Sequence, residues 1–255
     1  AKQVCSEQIT LLAEGFSENG VANVLLSNLD YDLPLNLWWQ SELPALPDSP
    51  LWPWVDRLVF DSAKWSNRSE QLHRLHQIKA HGNAHMALSD LNWTRTLAFR
   101  RSLAQCFDQP AILSDLGGIS KVEVAHGKGF ESTAQLLVCW VASRLQWTVV
   151  SHTAHSIEFH TPDQKTVSCS FVENEGAYPL SQITFISSTF QLTVQRAQDS
   201  DLLHSSLKTT ASAPTIEGHF SAAPECIIAL LSEEMNPSLR HCAYLKALSL
   251  QQTLF

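Results

Sequence analysis

The chain has 255 residues, 44% of them apolar and 16% charged, with 25 acidic residues against 17 basic for a net charge of −8. That length buries a sizeable core as one large domain or two modest ones, and so few charges among so many apolar residues exclude disorder. The acidic balance gives no electrostatic footprint for nucleic acid or an anionic membrane surface, and no apolar run approaches the ~20 residues of a membrane span.

In chain order, SEQITLLAEG reads as a strand with Ile9 and Leu11 alternating, and nothing before it resembles a signal or transit peptide. A helix follows over residues 18–28, then an apolar strand over 33–39. Pro44, Pro47, Pro50 and Pro53 mark an exposed loop, because each removes a backbone donor and fixes φ. Residues 55–62 read as a strand with Leu58 and Phe60 on one face. The segment SEQLHRLHQIKAHG is a helix capped by Ser69 or Asn67, striped by Leu72, Leu75 and Ile78, and ended by Gly82. The helix after Ser89, capped by Ser89 or Asp90, carries Phe99, Leu103, Cys106 and Phe107 at i, i+4, i+7 and i+8, the spacing of a buried face.

Residues 109–118 read as a hinge that divides the chain into lobes 1–112 and 113–255. SKVEVAHG is a short strand, and FESTAQLLVCWVASRLQW is the strongest helix, apolar on both sides and therefore covered on both. The runs HSIEFHT, TVSCSFVE, ITFISST, FQLTVQR and LHSSLKTT alternate with turn signals between them, the pattern of an antiparallel sheet. A helix opening near Pro224 and a second helix ending near Leu254 close the chain. The expected fold is α/β and two-lobed: an N-terminal α/β lobe, then a C-terminal α+β lobe with a largely antiparallel sheet and packed helices.

Catalytic signals are scarce. There is no G-x-G-x-x-G, no phosphate loop and no G-x-S-x-G elbow. Gly127-Lys128-Gly129 lies between a strand and a helix N-terminus, where anions bind, but one lysine supplies few donors and a tight turn is the plainer reading. The histidines, including His73, His76, His81, His85, His152 and His155, lack the Cys partners or H-E-x-x-H frame of a metal centre. Asp30 and Asp32 read as a turn before a strand. No cofactor and no metal is expected. Cys5, Cys106, Cys139, Cys169, Cys226 and Cys242 are scattered without framework spacing, which points to a reduced cytoplasmic protein, and the two N-x-S/T sequons are chance matches.

Two motifs remain. Trp38 and Trp39 are adjacent in a strand, so their side chains face opposite ways. Both are core only if both faces are covered; otherwise one is presented outward, where Trp makes a binding hot spot. In the run from Asn92 and Trp93, Arg95, Arg100 and Arg101 form a basic cluster in an acidic chain. Such a cluster either recognises carboxylate or phosphate or is a solvated helix face.

The order of LPLNLWWQSELP, Asp56-Arg57-Leu58-Val59-Phe60-Asp61-Ser62, Asp90-Leu91-Asn92-Trp93-Thr94-Arg95 with Phe107-Asp108 after it, and CWVASRLQW resembles the OpcA family. The match is close over residues 33–108 and loose elsewhere. The resemblance implies a chain that is not an enzyme. It implies a binder of glucose-6-phosphate dehydrogenase that promotes the active oligomer and raises substrate affinity in the oxidative pentose phosphate pathway, in cyanobacteria among others. It implies thioredoxin-linked redox control, although no close cysteine pair is present, and a further N-terminal stretch in relatives, so that the chain reads as a fragment or trimmed form. Trp38, Trp39, Asn92, Trp93, Arg95, Arg100 and Arg101 are the expected partner-binding residues. The competing reading is a small-molecule or phosphosugar-binding regulatory domain, in which arginines and tryptophans hold a sugar phosphate.

Overall fold

Three short apolar segments of the first lobe become parallel strands. In the computed structural model, which describes residues 18–27, 33–45, 50–153, 155–176, 178–197, 201–210, 215–222, 225–235 and 242–254, helix α1 (Glu18–Leu26) precedes β1 (Leu35–Trp38). Next comes β2 (Val55–Phe60), then α2 (Arg68–His81), then β3 (Ala87–Asp90). The sheet order is β1-β2-β3, parallel throughout. Parallel pairing demands a crossover, which α2 supplies between β2 and β3. Strands in such a sheet are covered on both faces, and Leu58, Val59 and Phe60 are accordingly all buried in a row. Helix α2 is capped by Asn67, whose side chain accepts from the Glu70 N–H at 3.2 Å. It stops at Gly82, where a Cβ would collide with Met86 and the Ile78 carbonyl.

The chain after Ser89 differs from expectation in two ways. Of the two caps open to that helix, Ser89 or Asp90, Asp90 is the one used, and Ser89 lies in β3, a strand too short to show alternation. The helix itself is broken into α3 (Leu91–Arg95), capped by Asp90, and α4 (Leu97–Phe107). The predicted stripe survives the break: Phe99, Leu103 and Cys106 are buried, and Phe107 packs edge-on against Phe185 at 5.1 Å. Residues 109–118, expected as a hinge, hold helix α5 (Pro110–Leu113) and a 3-10 turn. Asp115 ties this segment to Ser187 and Thr189.

The second lobe is a largely antiparallel sheet with helices on one face. It comprises β4 (Ile119–Gly127), α6 (Glu131–Leu145), β5 (Thr148–Thr153), β6 (Ser156–His160), β7 (Thr166–Asn174), β8 (Leu180–Ser187), β9 (Phe190–Arg196), β10 (Leu202–Thr209) and β11 (Ile216–Ser221). The strand order is β11-β10-β9-β8-β4-β7-β6-β5, with only β4 and β7 parallel. Strands β5 and β11 escaped the sequence reading; their burial does not alternate cleanly, and β11 carries Gly218 packed on Ser205.

Helix α6 touches β4 and β7 on one side and α3 and α8 (Cys242–Gln252) on others, so every residue from Ser132 to Ala142 is buried, as its apolar circumference requires. It ends on Gln146 in the left-handed region at φ 58°. Helix α7 (Ile227–Glu234) lies against α3. One continuous hydrophobic cluster runs through both lobes, from Leu58 and Phe60 of the parallel sheet to Phe185 and Val194 of the other. Ile9, Leu11, Asp30, Asp32 and Pro224 lie outside the described residues.

Candidate functional site

Open α/β sheets bind ligands beyond the carboxyl ends of their strands. Here those ends present Asp61 after β2 and Asp90 at the end of β3. Asp90 is fully buried. Its Oδ1 accepts from the Ser62 and Asn92 backbone N–H groups, both at 3.0 Å, and its Oδ2 from Ser62 Oγ at 2.7 Å and Tyr244 Oη at 3.1 Å. Burial outweighs these donors and pushes its carboxyl up to about 7, with Asp61 adding to the rise. Asn92, also fully buried, donates to Ser62 Oγ at 3.0 Å and accepts from Thr133 of α6. Asp61 forms a two-pronged pair with Arg95 at 2.6 and 2.8 Å, and the Arg95 guanidinium lies 5.6 Å from the Phe130 ring centre. At these strand ends the polar side chains bond one another and reach Thr133 of α6 and Tyr244 of α8.

The expected partner-binding residues fall into different environments. Trp38 is exposed at 40%. Trp39, on the opposite face, is half-buried, its indole N–H donating to the Glu42 carbonyl at 2.9 Å and its ring 5.9 Å from Trp52. Trp93 is buried beside Tyr244. The expected single basic cluster is divided: Arg100 turns onto Trp93, while Arg95 and Arg101 line one cavity, each held by its own carboxylate. Arg95 turns in to Asp61. Arg100 lies flat on Trp93, 3.5 Å from its ring centre, with Nε donating to Thr96 Oγ1, and burial pushes its guanidinium down to about 9. Only Arg101 reaches the surface, where it pairs with Glu233 at 3.1 Å. Arg95 ends α3 whereas Arg100 and Arg101 belong to α4, beyond the break at Thr96, and each side chain is drawn to a different partner.

A second polar cluster was missed. Arg196, the last residue of β9, is buried and pairs with Glu225, while its guanidinium stacks 4.5 Å from the Tyr178 ring centre. Burial pushes Glu225 up to about 7 against the opposing pull of Arg196 and Arg95. A cavity of about 70 Å³ opens here, lined by Arg95, Arg101, Arg196, Ser221, Glu225 and Glu233 among others. The signal was available: Leu192, Val194 and Arg196 share strand parity, so an arginine belongs to the buried face.

Among the described residues no group of three or more His, Cys, Asp or Glu is placed to hold a metal, and no helix is long and apolar enough to cross a membrane. Cys106, Cys139 and Cys169 are buried, and burial pushes their thiols up; Cys226 and Cys242 are exposed.

The family model for the C-terminal domain of the OpcA glucose-6-phosphate dehydrogenase subunit matches residues 86–244, more than half of the chain, and its N-terminal counterpart matches residues 1–77. The chain belongs to the OpcA family. A protein of Synechocystis sp. carried as OxPP cycle protein OpcA is 30% identical over 177 residues, covering 64% of this chain and 36% of that protein. Its namesake from Nostoc punctiforme is 29% identical, covering 64% of this chain and 37% of its own length. The chain thus spans little more than a third of these OpcA relatives.

Among solved structures, the 3-ketoreductase KijD10 of Actinomadura kijaniata in complex with NADP and TDP-benzene is similar at a TM-score of 0.54. It is 13% identical, with 95% of this chain and 80% of that one covered. A second structure of that enzyme, with NADP, gives a TM-score of 0.52 at 14% identity, covering 89% and 76%. This is a likeness of fold alone.

Proposed function

We propose that this OpcA-family chain has no reactive centre of its own and acts in the cytoplasm by binding glucose-6-phosphate dehydrogenase, promoting its active oligomer and raising its substrate affinity. The observation that carries the reading is the match of both halves of the chain to domains described as belonging to a subunit of that dehydrogenase. The ends of β2 and β3 support it, since Asp61 is spent on Arg95 there and Asp90 on Ser62. An activator works by binding the active or substrate-bound enzyme more tightly than the resting one. By linkage, substrate then tightens activator binding by the same factor, a coupling typically of ~1–3 kcal/mol.

In this reading Trp38 and Arg101 meet the partner directly, while Trp39, Asn92, Trp93, Arg95 and Arg100 hold the surface that presents them. Helix α7 and its C-cap also expose Ile228 and Met235. Thioredoxin-linked control acts at Cys226 or Cys242, the exposed thiols among the described residues. The test mixes the chain with its cognate dehydrogenase and follows NADPH formation at sub-saturating glucose 6-phosphate. A lowered KM and co-elution with the dehydrogenase are expected. An unchanged Michaelis curve together with separate elution overturns the proposal.

A second reading, a small-molecule-binding regulatory domain, is favoured by the cavity at Arg196. A thermal shift with glucose 6-phosphate in the absence of the dehydrogenase is its signature.

A further inference from the structure

We infer that α7 is an acidic clasp lying on the chain's own arginine-bearing surface. It opens as a unit ahead of the rest of the fold and then leaves that surface to an acidic peptide segment of a partner protein. The inference concerns the chain alone and does not depend on which protein supplies the segment.

Helix α7 is built inside out. Its buried side chains are Leu230 and Glu234, one leucine and one carboxyl. Ile228 is 73% exposed, and Ile227 and Met235 are exposed as well. A surface helix ordinarily turns its apolar stripe to the core and its charges to water. Among the described residues, α7 gives Leu230 and Leu231 to a small apolar group with Val59 and Leu91, separate from the main core.

Polar contacts supply the rest of the hold. Glu225, just before the helix, pairs with Arg196 of β9, and Glu233 pairs with Arg101 of α4. Glu234 accepts from Thr94 Oγ1 of α3, and its backbone carbonyl accepts from Arg57 Nη1 of β2 at 2.9 Å. Arg100 of α4 lies in the field of Glu234 and Glu233. Arginines of β2, α4 and β9 thus converge on one short acidic helix.

Contacts of this kind release readily. Opening returns each carboxylate and guanidinium to water, which offsets much of the attraction that is lost. It also exposes few apolar side chains beyond those already exposed. A segment with little apolar burial belongs to the low-stability end of a fold, where local opening precedes global unfolding. The arginines left behind suit carboxylates, which a guanidinium grips with two parallel N–H groups. Helix α7 itself shows what that surface accepts: glutamates carried on a short segment. The closed clasp competes with such a partner, so apparent affinity is the intrinsic affinity reduced by the fraction of molecules that are open.

Hydrogen exchange read by mass spectrometry tests the opening. The amides of residues 230–235, which bond back within the helix, should exchange about tenfold or more faster than those of α4 and α6, at rates that low denaturant leaves unchanged. Joint Glu233→Gln and Glu234→Gln substitution should speed them by a further factor of about three or more, with α4 and α6 still protected. Exchange of α7 in step with α4 and α6, through global unfolding, overturns the clasp. Fluorescence anisotropy of the whole chain with a labelled synthetic peptide of residues 225–235 tests the surface. The double variant should bind this peptide about fivefold or more tighter than the parent chain, whose own helix competes harder. A peptide with glutamine at each glutamate should bind the variant about tenfold or more weaker. Tighter binding is a gain that a folding defect does not imitate, and its dependence on the glutamates excludes adhesion to bared apolar surface. Equal affinity in parent and variant, no binding to either, or binding indifferent to the glutamates overturns the arginine surface.

Discussion

Asp90 is a carboxyl that the protein holds in its interior, with Ser62, Asn92 and Tyr244 all donating to it. Its ordinary value of ~3.9 rises to about 7 on folding. Between those values the folded protein keeps a proton that the unfolded chain releases. The stabilisation is therefore complete below about pH 4 and lost as pH rises through 7. Glu225 acts in the same direction. Asp90→Asn keeps an acceptor for the backbone donors and removes the titration. Melting temperatures followed from pH 5 to pH 8 should decline more steeply for the parent chain than for this variant.

The tryptophans separate by the same criterion of burial. Trp93→Ala leaves a cavity and strips the ring from beneath the buried Arg100, so a loss of about 3–5 kcal/mol is expected in urea titrations. Trp38→Ala should change stability by less than ~0.5 kcal/mol, while costing about 2 kcal/mol or more of dehydrogenase affinity if Trp38 is a hot spot.

At the scale of the element, periodicity was a reliable guide to faces and a poor guide to ends. The stripe of α4 and the doubly covered α6 were visible in the residues, because apolar spacing reports which side of a helix meets something. The break at Thr96 and the strand β3 were not. Four residues cannot display a period, and β3 exists because its backbone pairs with β2, at Leu88 opposite Leu58 and Ser89 opposite Val59. The end of α6 is marked by Gln146 at φ 58°, ψ 35°, exposed and without a glycine's freedom. Left-handed backbone costs a residue with a Cβ about 1–2 kcal/mol, partly offset by glycine's larger loss of freedom on folding. Gln146→Gly is accordingly expected to stabilise the protein by roughly 0.5–1 kcal/mol in equilibrium unfolding.

For the whole molecule, the decisive fact is that one hydrophobic cluster joins the parallel sheet of the first lobe to the antiparallel sheet of the second. Polar bonds follow the same route, with Asn92 held by Thr133 and Asp90 by Tyr244. The lobes should therefore melt together. Calorimetry is expected to show a single transition whose calorimetric and van't Hoff enthalpies agree, whereas two resolved transitions would show that the shared core does not couple them. A partner bound across such a body acts on it as one unit.

The residues by themselves determined the α/β-then-α+β arrangement, the buried faces of the helices and the family, because each rests on local spacing or on motif order. The tertiary structure alone decided where the charges go. Arg95 meets Asp61 from 34 positions away, Arg101 meets Glu233 from 132, and Asp90 meets Tyr244 from 154. An ion pair or a buried hydrogen bond is chosen by distance in space. Nothing in a helical or strand period encodes which remote segment will supply its other half, so an apparent surface cluster of arginines became two internal braces and one exposed cation.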